Sequence, residues 1–142
     1  MIQYSATITV PMADVWRHLL YKIECPEAFV PGVSNVEVLE KREGFVRRKM
    51  TIKMPDGSIN NIEEEIIFAP YQVRFNLVSH PKFSGYVDNV ITPISEKECL
   101  LTYSIHWQDK ATLVYFSDEN IVKNAVLKSV AHIQNQSNET TR

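Results

Sequence analysis

Glycine is scarce here: only four occur in 142 residues, none of them clustered, which excludes a glycine-rich phosphate loop. Cysteine is scarcer still. Cys25 and Cys99 stand far apart and without metal-ligand spacing, so both are expected to be small buried thiols in a reducing compartment. No apolar run approaches the roughly 20 residues of a membrane helix, so stable membrane insertion is not expected. An excess of one charge sign is also lacking. Fifteen Lys and Arg against 17 Asp and Glu leave a net charge of -2, with the signs interspersed. Nucleic-acid binding would need a clustered basic face and is excluded as a function. The opening residues MIQYSATITV carry no basic stretch and alternate polar with apolar, which predicts a strand rather than a signal peptide. The glycosylation sequons at Asn135 and Asn138 are therefore expected to stay unmodified, and the protein to be cytoplasmic. A homodimer is left open.

What is present suits one globular domain with its own core: 44% of the residues are hydrophobic and 23% charged. That domain is expected over 1–136, with 137–142 as a frayed polar tail. Tyr4, Ala6, Ile8 and Val10 alternate with polar residues as in a half-buried strand. Pro11 opens a helix whose apolar face carries Val15, Trp16, Leu19, Leu20 and Ile23. Pro26 and Pro31 with Gly32 bracket a second short helical piece or a structured loop. From Val33 to Gln108 the period becomes two, interrupted at five turn signals, so six antiparallel strands follow. Ser117 is the expected N-cap of a last helix, with Asp118 and Glu119 at its positive end. Its apolar stripe is Ile121, Val122, Ala125, Val126, Val130 and Ile133, and its arc is centred near Ser129, with His132 toward one edge. The predicted class is α+β: a curved seven-stranded antiparallel sheet, one or two short helices after the first strand, and a long C-terminal helix that covers one face.

Turn chemistry fixes the expected register. Arg42-Glu43-Gly44 and Pro55-Asp56-Gly57 both place Gly last, as three-residue hairpin loops with a G1 bulge require. They pair Val38 with Arg48, Val36 with Met50, Met50 with Ile62, Arg48 with Glu64 and Val46 with Ile66. A two-residue Pro70-Tyr71 connection sets Ile66 against Phe75, Phe68 against Val73 and Glu64 against Leu77. Continuing across, Leu77 is expected to meet Tyr86, Tyr86 to meet Trp107, and Val90 to meet Tyr103. Asp88 then falls one row away, between Phe75 and Ile105.

This register puts Arg48 and Glu64 together on the concave, helix-facing side of the sheet. A buried charge pair is seldom the most stable choice. Two explanations stay open: the pair closes a partly wet mouth at the sheet edge, or it forms the polar end of a ligand cavity. Around such a cavity would stand Met50, Ile66, Phe75, Leu77, Tyr86, Asp88, Tyr103, Trp107 and Ser129. Ser129, a small hydroxyl in mid-stripe, leaves room or a hydrogen bond where Leu would fill space, although a close helix–sheet approach also asks for a small residue. No nucleophile–base pair is visible. The histidines are scattered, with His18 on the exposed side of the first helix and His106 on the outer sheet face, so no metal site is expected. No catalytic residue and no cofactor are assigned. Glu64 and Asp88 are the best acid–base candidates, but Glu64 beside Arg48 should stay ionised and act as an anchor.

The opening ATITVPMADVW, with Pro11 just before a helix bearing Val15-Trp16, and the long amphipathic terminal helix resemble the START/Bet v 1-like (SRPBCC) superfamily, the helix-grip fold. PEAFVPGV and ECLLTYSIHW are similar to a subgroup, the AtaL-like domains found in some secondary-metabolite clusters. The resemblance spans nearly the whole chain and implies a deep apolar cavity between sheet and terminal helix. Relatives use it for lipids, sterols, polyketides or aromatic molecules, some as cyclases and others as carriers. It transfers no catalytic residue. The expected function is binding of a small hydrophobic ligand; the alternatives are a cyclase or dehydratase using Glu64, Asp88 or Tyr103, and a protein-interaction module acting through its outer surface.

Overall fold

The computed structural model describes residues 1–30 and 32–140; for 137–140 it describes the backbone alone. Pro31, and the expectation of a frayed tail at 137–142, fall outside the described residues or their described side chains. The elements run β1 (Ile2–Ile8), α1 (Met12–Glu24), a 3-10 turn (Pro26–Ala28), β2 (Val33–Arg42), β3 (Phe45–Lys53), β4 (Ile59–Ala69), β5 (Gln72–Ser79), β6 (Phe83–Ser95), β7 (Glu98–Asp109) and α2 (Glu119–Thr140). All seven strands form one antiparallel sheet in the order β1-β7-β6-β5-β4-β3-β2. The architecture is the expected α+β helix-grip arrangement. Among the described residues no helix is long and apolar enough to cross a membrane.

The core lies between the concave face of the sheet and the helices. Ile8, Val10, Val15, Leu19, Ile23, Val46, Ile66, Leu101, Val122, Val126 and Ile133 are all essentially inaccessible to solvent. Burying each such side chain is worth about 1.5–3 kcal/mol. α2 packs on β1 and β7, with Val122, Val126, Ser129 and Ile133 inward; Ile121 and Ala125 face solvent, so its stripe is narrower than expected. Its N-cap is Asp118, one residue later than expected: the Asp118 carboxylate accepts from the Asn120 amide at 3.1 Å and its carbonyl from Ile121.

Most of the expected register is present. Met50 faces Ile62, Arg48 faces Glu64, Val46 faces Ile66, and Val38 faces Arg48. Glu64 faces Leu77, Ile66 faces Phe75, and Phe68 faces Val73. Gly44 and Gly57 hold φ of 69° and 87°, the left-handed geometry their loops demand. Near the start of β2 a bulge between Ser34 and Glu37 leaves Val36 without the expected one-to-one partner in Met50, and Asn35 there has φ of 51°.

One strand is turned over. β6 was expected to point Tyr86, Asp88 and Val90 inward, yet Tyr86 pairs with Asn76 and His106, Asp88 with Arg74 and Ser104, and Val90 with Thr102. Val87, Asn89 and Ile91 therefore face the core instead. Two local events cause the flip. His80 leaves β5, and its ring Nδ1 accepts the amides of Lys82 and Phe83 at 3.0 Å each, so the loop before β6 has three residues instead of two. On the other side Ser95 pairs with Glu98 as the turn requires, but a bulge between Pro93 and Ser95 shifts all earlier pairs by one residue. Pro93 has no N–H to give the ladder, and bulges accommodate that.

Candidate functional site

Six elements converge on a buried polar cluster in the apolar interior. Arg48, in mid-β3, is 3% exposed and Glu64, its cross-strand neighbour on β4, 6%. Glu64 Oε1 accepts from Arg48 Nη2 at 2.9 Å and from Nε at 3.3 Å. Arg48 Nη1 points to the end of α1, where it donates to the carbonyls of Lys22, at 3.1 Å, and Ile23. Those carbonyls have no partner within the helix, because Pro26 stops the chain from continuing it, and a cation there also suits the negative helix end. Arg48 is thus fully committed between β4 and α1.

Lys22, in the last turn of α1, completes the cluster. It lies three residues after Leu19 and one before Ile23, on the face that packs against the sheet, and is 9% exposed. Its Nζ donates to Asn89 Oδ1 at 3.0 Å and to the Tyr103 hydroxyl at 3.3 Å, and it lies 4.4 Å from the Tyr103 ring centroid and 5.3 Å from that of Phe75. Burial, reinforced by the Arg48 charge and opposed by Glu64, lowers its pKa from the ordinary lysine value to about 7. Tyr103, on β7, donates in turn to Ser129 Oγ on α2 at 2.7 Å, and burial pushes its phenol well above the usual range. Asn89, on β6, is completely buried, and its Nδ2 finds no hydrogen-bond partner among the described residues.

Of the residues singled out in the sequence, Arg48, Glu64, Phe75, Tyr103 and Ser129 therefore meet in or against one cluster. Ile66 is fully buried beside Phe75 on the same face, Met50 is buried one row along β3, and Leu77 stands half-buried opposite Glu64. Trp107 belongs to a separate aromatic group at the far end of β7, 5.4 Å from Phe83 and 5.5 Å from Phe116 between ring centroids. Tyr86 and Asp88 do not contribute. Tyr86 stacks on His106 at 4.4 Å on the outer face, and Asp88 forms a two-point ion pair with Arg74 there, at 2.8 and 2.9 Å. His18 is not on an exposed side: it is half-buried, its ring 6.1 Å from that of His132, which itself lies 4.6 Å from Phe29. Lys22 and Asn89 were missed. The signal for Lys22 was present, a charged residue inside the i, i+4 apolar stripe of α1; Asn89 was hidden by the phase of β6.

A groove of about 310 Å³ is lined by Ile67, Phe68, Arg74, Asp88 and Val90, among others, and one of about 550 Å³ at the sheet edge by residues including Asn35, Glu37, Lys49 and Glu63 together with the inward-facing Met50 and Ile62. Neither borders Lys22 or Tyr103. Among the described residues no group of three or more His, Cys, Asp or Glu could hold a metal ion.

The model of the family described as acetylaranotin biosynthesis cluster protein L matches residues 3–140. No curated protein matches the chain. Among solved structures, the Zhui aromatase/cyclase from Streptomyces sp. R1128 is 14% identical, with 99% of this chain and 94% of that one covered and a TM-score of 0.75. Norcoclaurine synthase from Thalictrum flavum, in complex with dopamine and hydroxybenzaldehyde, is 13% identical over 97% of this chain and 86% of its own, with a TM-score of 0.74. A START superfamily protein from Mycobacterium smegmatis is 12% identical, at 98% and 97% coverage and a TM-score of 0.72. At such identity the likeness is one of fold.

Proposed function

Because the chain belongs to the family described as acetylaranotin biosynthesis cluster protein L and has the fold of the START/Bet v 1-like superfamily, we propose that it binds a small hydrophobic or amphipathic molecule between the sheet and α2. One observation carries the proposal. A cluster of Lys22, Arg48, Glu64, Asn89, Tyr103 and Ser129 is held inside an apolar core. Such a cluster costs stability relative to apolar residues of the same volume, and function is a common reason to keep one. An apolar interior with a few convergent polar groups is also the usual make-up of a small-molecule site.

A second reading has its own support. An amine whose pKa is about 7 stands within hydrogen-bond reach of a phenol and near a carboxylate, which suits proton transfer at neutral pH. Two similar folds are an aromatase/cyclase and a synthase. With Asp88 on the outer face, a cyclase or dehydratase would rely on Lys22, Tyr103 and Glu64.

Native mass spectrometry of protein purified from its own host tests the first reading. A retained small molecule, released on unfolding, is the expected result. A bare protein in repeated preparations, together with no thermal shift across a panel of hydrophobic compounds, would overturn it. The two readings separate on Glu64→Gln: an enzyme loses turnover while binding survives.

A further inference from the structure

Charge and donor counts inside the core do not balance. Among the described residues the buried ionisable groups of the cluster are Lys22, Arg48 and Glu64, two cations and one anion. Glu64 is taken by Arg48 through both Nε and Nη2. Among the described residues Lys22 faces no carboxylate within ion-pair distance; its partners are the neutral Asn89 and Tyr103. An ammonium has three N–H bonds and these two acceptors use two. Beside it, Asn89 Nδ2 is completely buried and has no partner among the described residues. Turning the amide over offers no relief, since it would aim donors at the ammonium. The cluster is short of one negative charge and of hydrogen-bond acceptors at the same place.

We propose that this place receives the carboxylate of an apolar organic acid, with the Lys22 ammonium and the Asn89 amide as its anchors and Phe75 and Tyr103 against its hydrocarbon. The proposal deepens the ligand-binding function above and rests on it. A carboxylate brings one negative charge and several lone pairs, enough for the third N–H of Lys22 and for Asn89 Nδ2. It cancels the unpaired cation, which is otherwise costly in the interior. Without ligand, Lys22 avoids that cost by giving up its proton near neutrality; with an anion bound it keeps the proton. The groups facing Lys22 are Arg48 from β3, Glu64 from β4, Asn89 from β6 and Tyr103 from β7, with Ser129 of α2 behind Tyr103. Lys22 is poised to change charge near neutrality, whereas burial pushes the Tyr103 phenol well above that range.

Isothermal calorimetry with three probes of one shape tests this: naphthalene-2-carboxylate, naphthalene-2-carboxamide and 2-naphthylmethylammonium. At pH 8 the carboxylate is expected to bind at least tenfold more tightly than the carboxamide, and the ammonium most weakly. Titrations in two buffers of different ionisation enthalpy should show uptake of a proton with the carboxylate alone. Lys22→Met should abolish the preference and the proton uptake. Asn89→Asp supplies the missing anion from within, and should abolish the preference even if Lys22→Met does not fold. Equal affinity for acid and amide, or a preference that persists in both variants, overturns the carboxylate site and leaves the ligand-binding function standing. Failure of all three probes to bind overturns the site together with the ligand-binding function it rests on.

Discussion

Arg48 and Glu64 face each other across β3 and β4 with 2.9 Å between Nη2 and Oε1, and the same guanidinium holds the last carbonyls of α1. The pair therefore ties a helix end to the middle of the sheet in a place that water does not reach. Arg48→Met leaves a buried carboxylate and two bare carbonyls, and should cost about 3–5 kcal/mol. Glu64→Leu leaves a buried guanidinium uncompensated and should also destabilise. The double change to apolar residues should cost much less than the sum of the single ones, because no lone charge remains. Guanidinium denaturation midpoints of the four proteins check this; additive losses would mean that the two side chains act independently.

Most of the inner face was legible because two of the loops carry glycine where a left-handed residue is compulsory, and the alternation then propagates. Arg48, Glu64 and Phe75 were placed correctly by that logic, and Tyr103 on the right face only because the one-residue errors on the two sides of β6 cancel. β6 was misplaced because neither event that sets its phase is a change of pattern. A histidine ring substituting for a strand partner and a bulge after Pro93 each move the strand by one residue, and both neighbours stay where they were. Pro93 inside an apparent strand was the available warning. Lys22 is hidden for a different reason: it is a charged residue inside the apolar face of α1, and apolar periodicity selects only Val15, Leu19 and Ile23 around it.

The corrected phase of β6 has a direct consequence for Asp88 and Tyr86. Asp88 is bonded to Arg74 on the outer face, partly exposed. Asp88→Asn should cost about 0.2–1 kcal/mol, as outer ion pairs do. Neither it nor Tyr86→Ala should alter ligand affinity, whereas Asn89→Leu should alter it strongly. Calorimetry with whichever probe binds distinguishes the two faces, and a tenfold loss in the Asp88 variant would restore the inward phase.

Two glycines separate conformational from steric demand. Gly57 has φ of 87° and open space where a Cβ would stand, so Gly57→Ala should cost about 1 kcal/mol, the strain of a left-handed residue. Gly85 has φ of 114°, and a Cβ there would come 2.0 Å from the carbonyl oxygen of His106 on β7. Backbone must move to admit it. Gly85→Ala should therefore lower the thermal midpoint several times more than Gly57→Ala, and an equal effect of the two would show that β6 and β7 separate easily at that point.

Lys22 should write a signature into the pH dependence of stability. Its folded pKa of about 7 lies below the unfolded value near 10.5, so between these limits the unfolded chain binds more protons than the folded one. Stability from this group therefore rises with pH across that window, by up to about 1.4 kcal/mol per unit, and the penalty of the buried charge is fully present below it. Lys22→Met removes the term. The difference in unfolding free energy between Lys22→Met and the unaltered protein should be largest at or below pH 7 and shrink steadily toward pH 10. Comparing the two proteins cancels the other titrating groups, including His80, whose pKa is lowered by burial and by Lys110. The neighbours set the position of the window: removing the Arg48 charge should move it up, because that charge disfavours the ammonium, and removing Glu64 should move it down. Denaturation curves at four pH values suffice. A difference that stays flat from pH 6 to 9 would mean that the amine reaches water in the folded protein and that α1 does not seal it against the sheet.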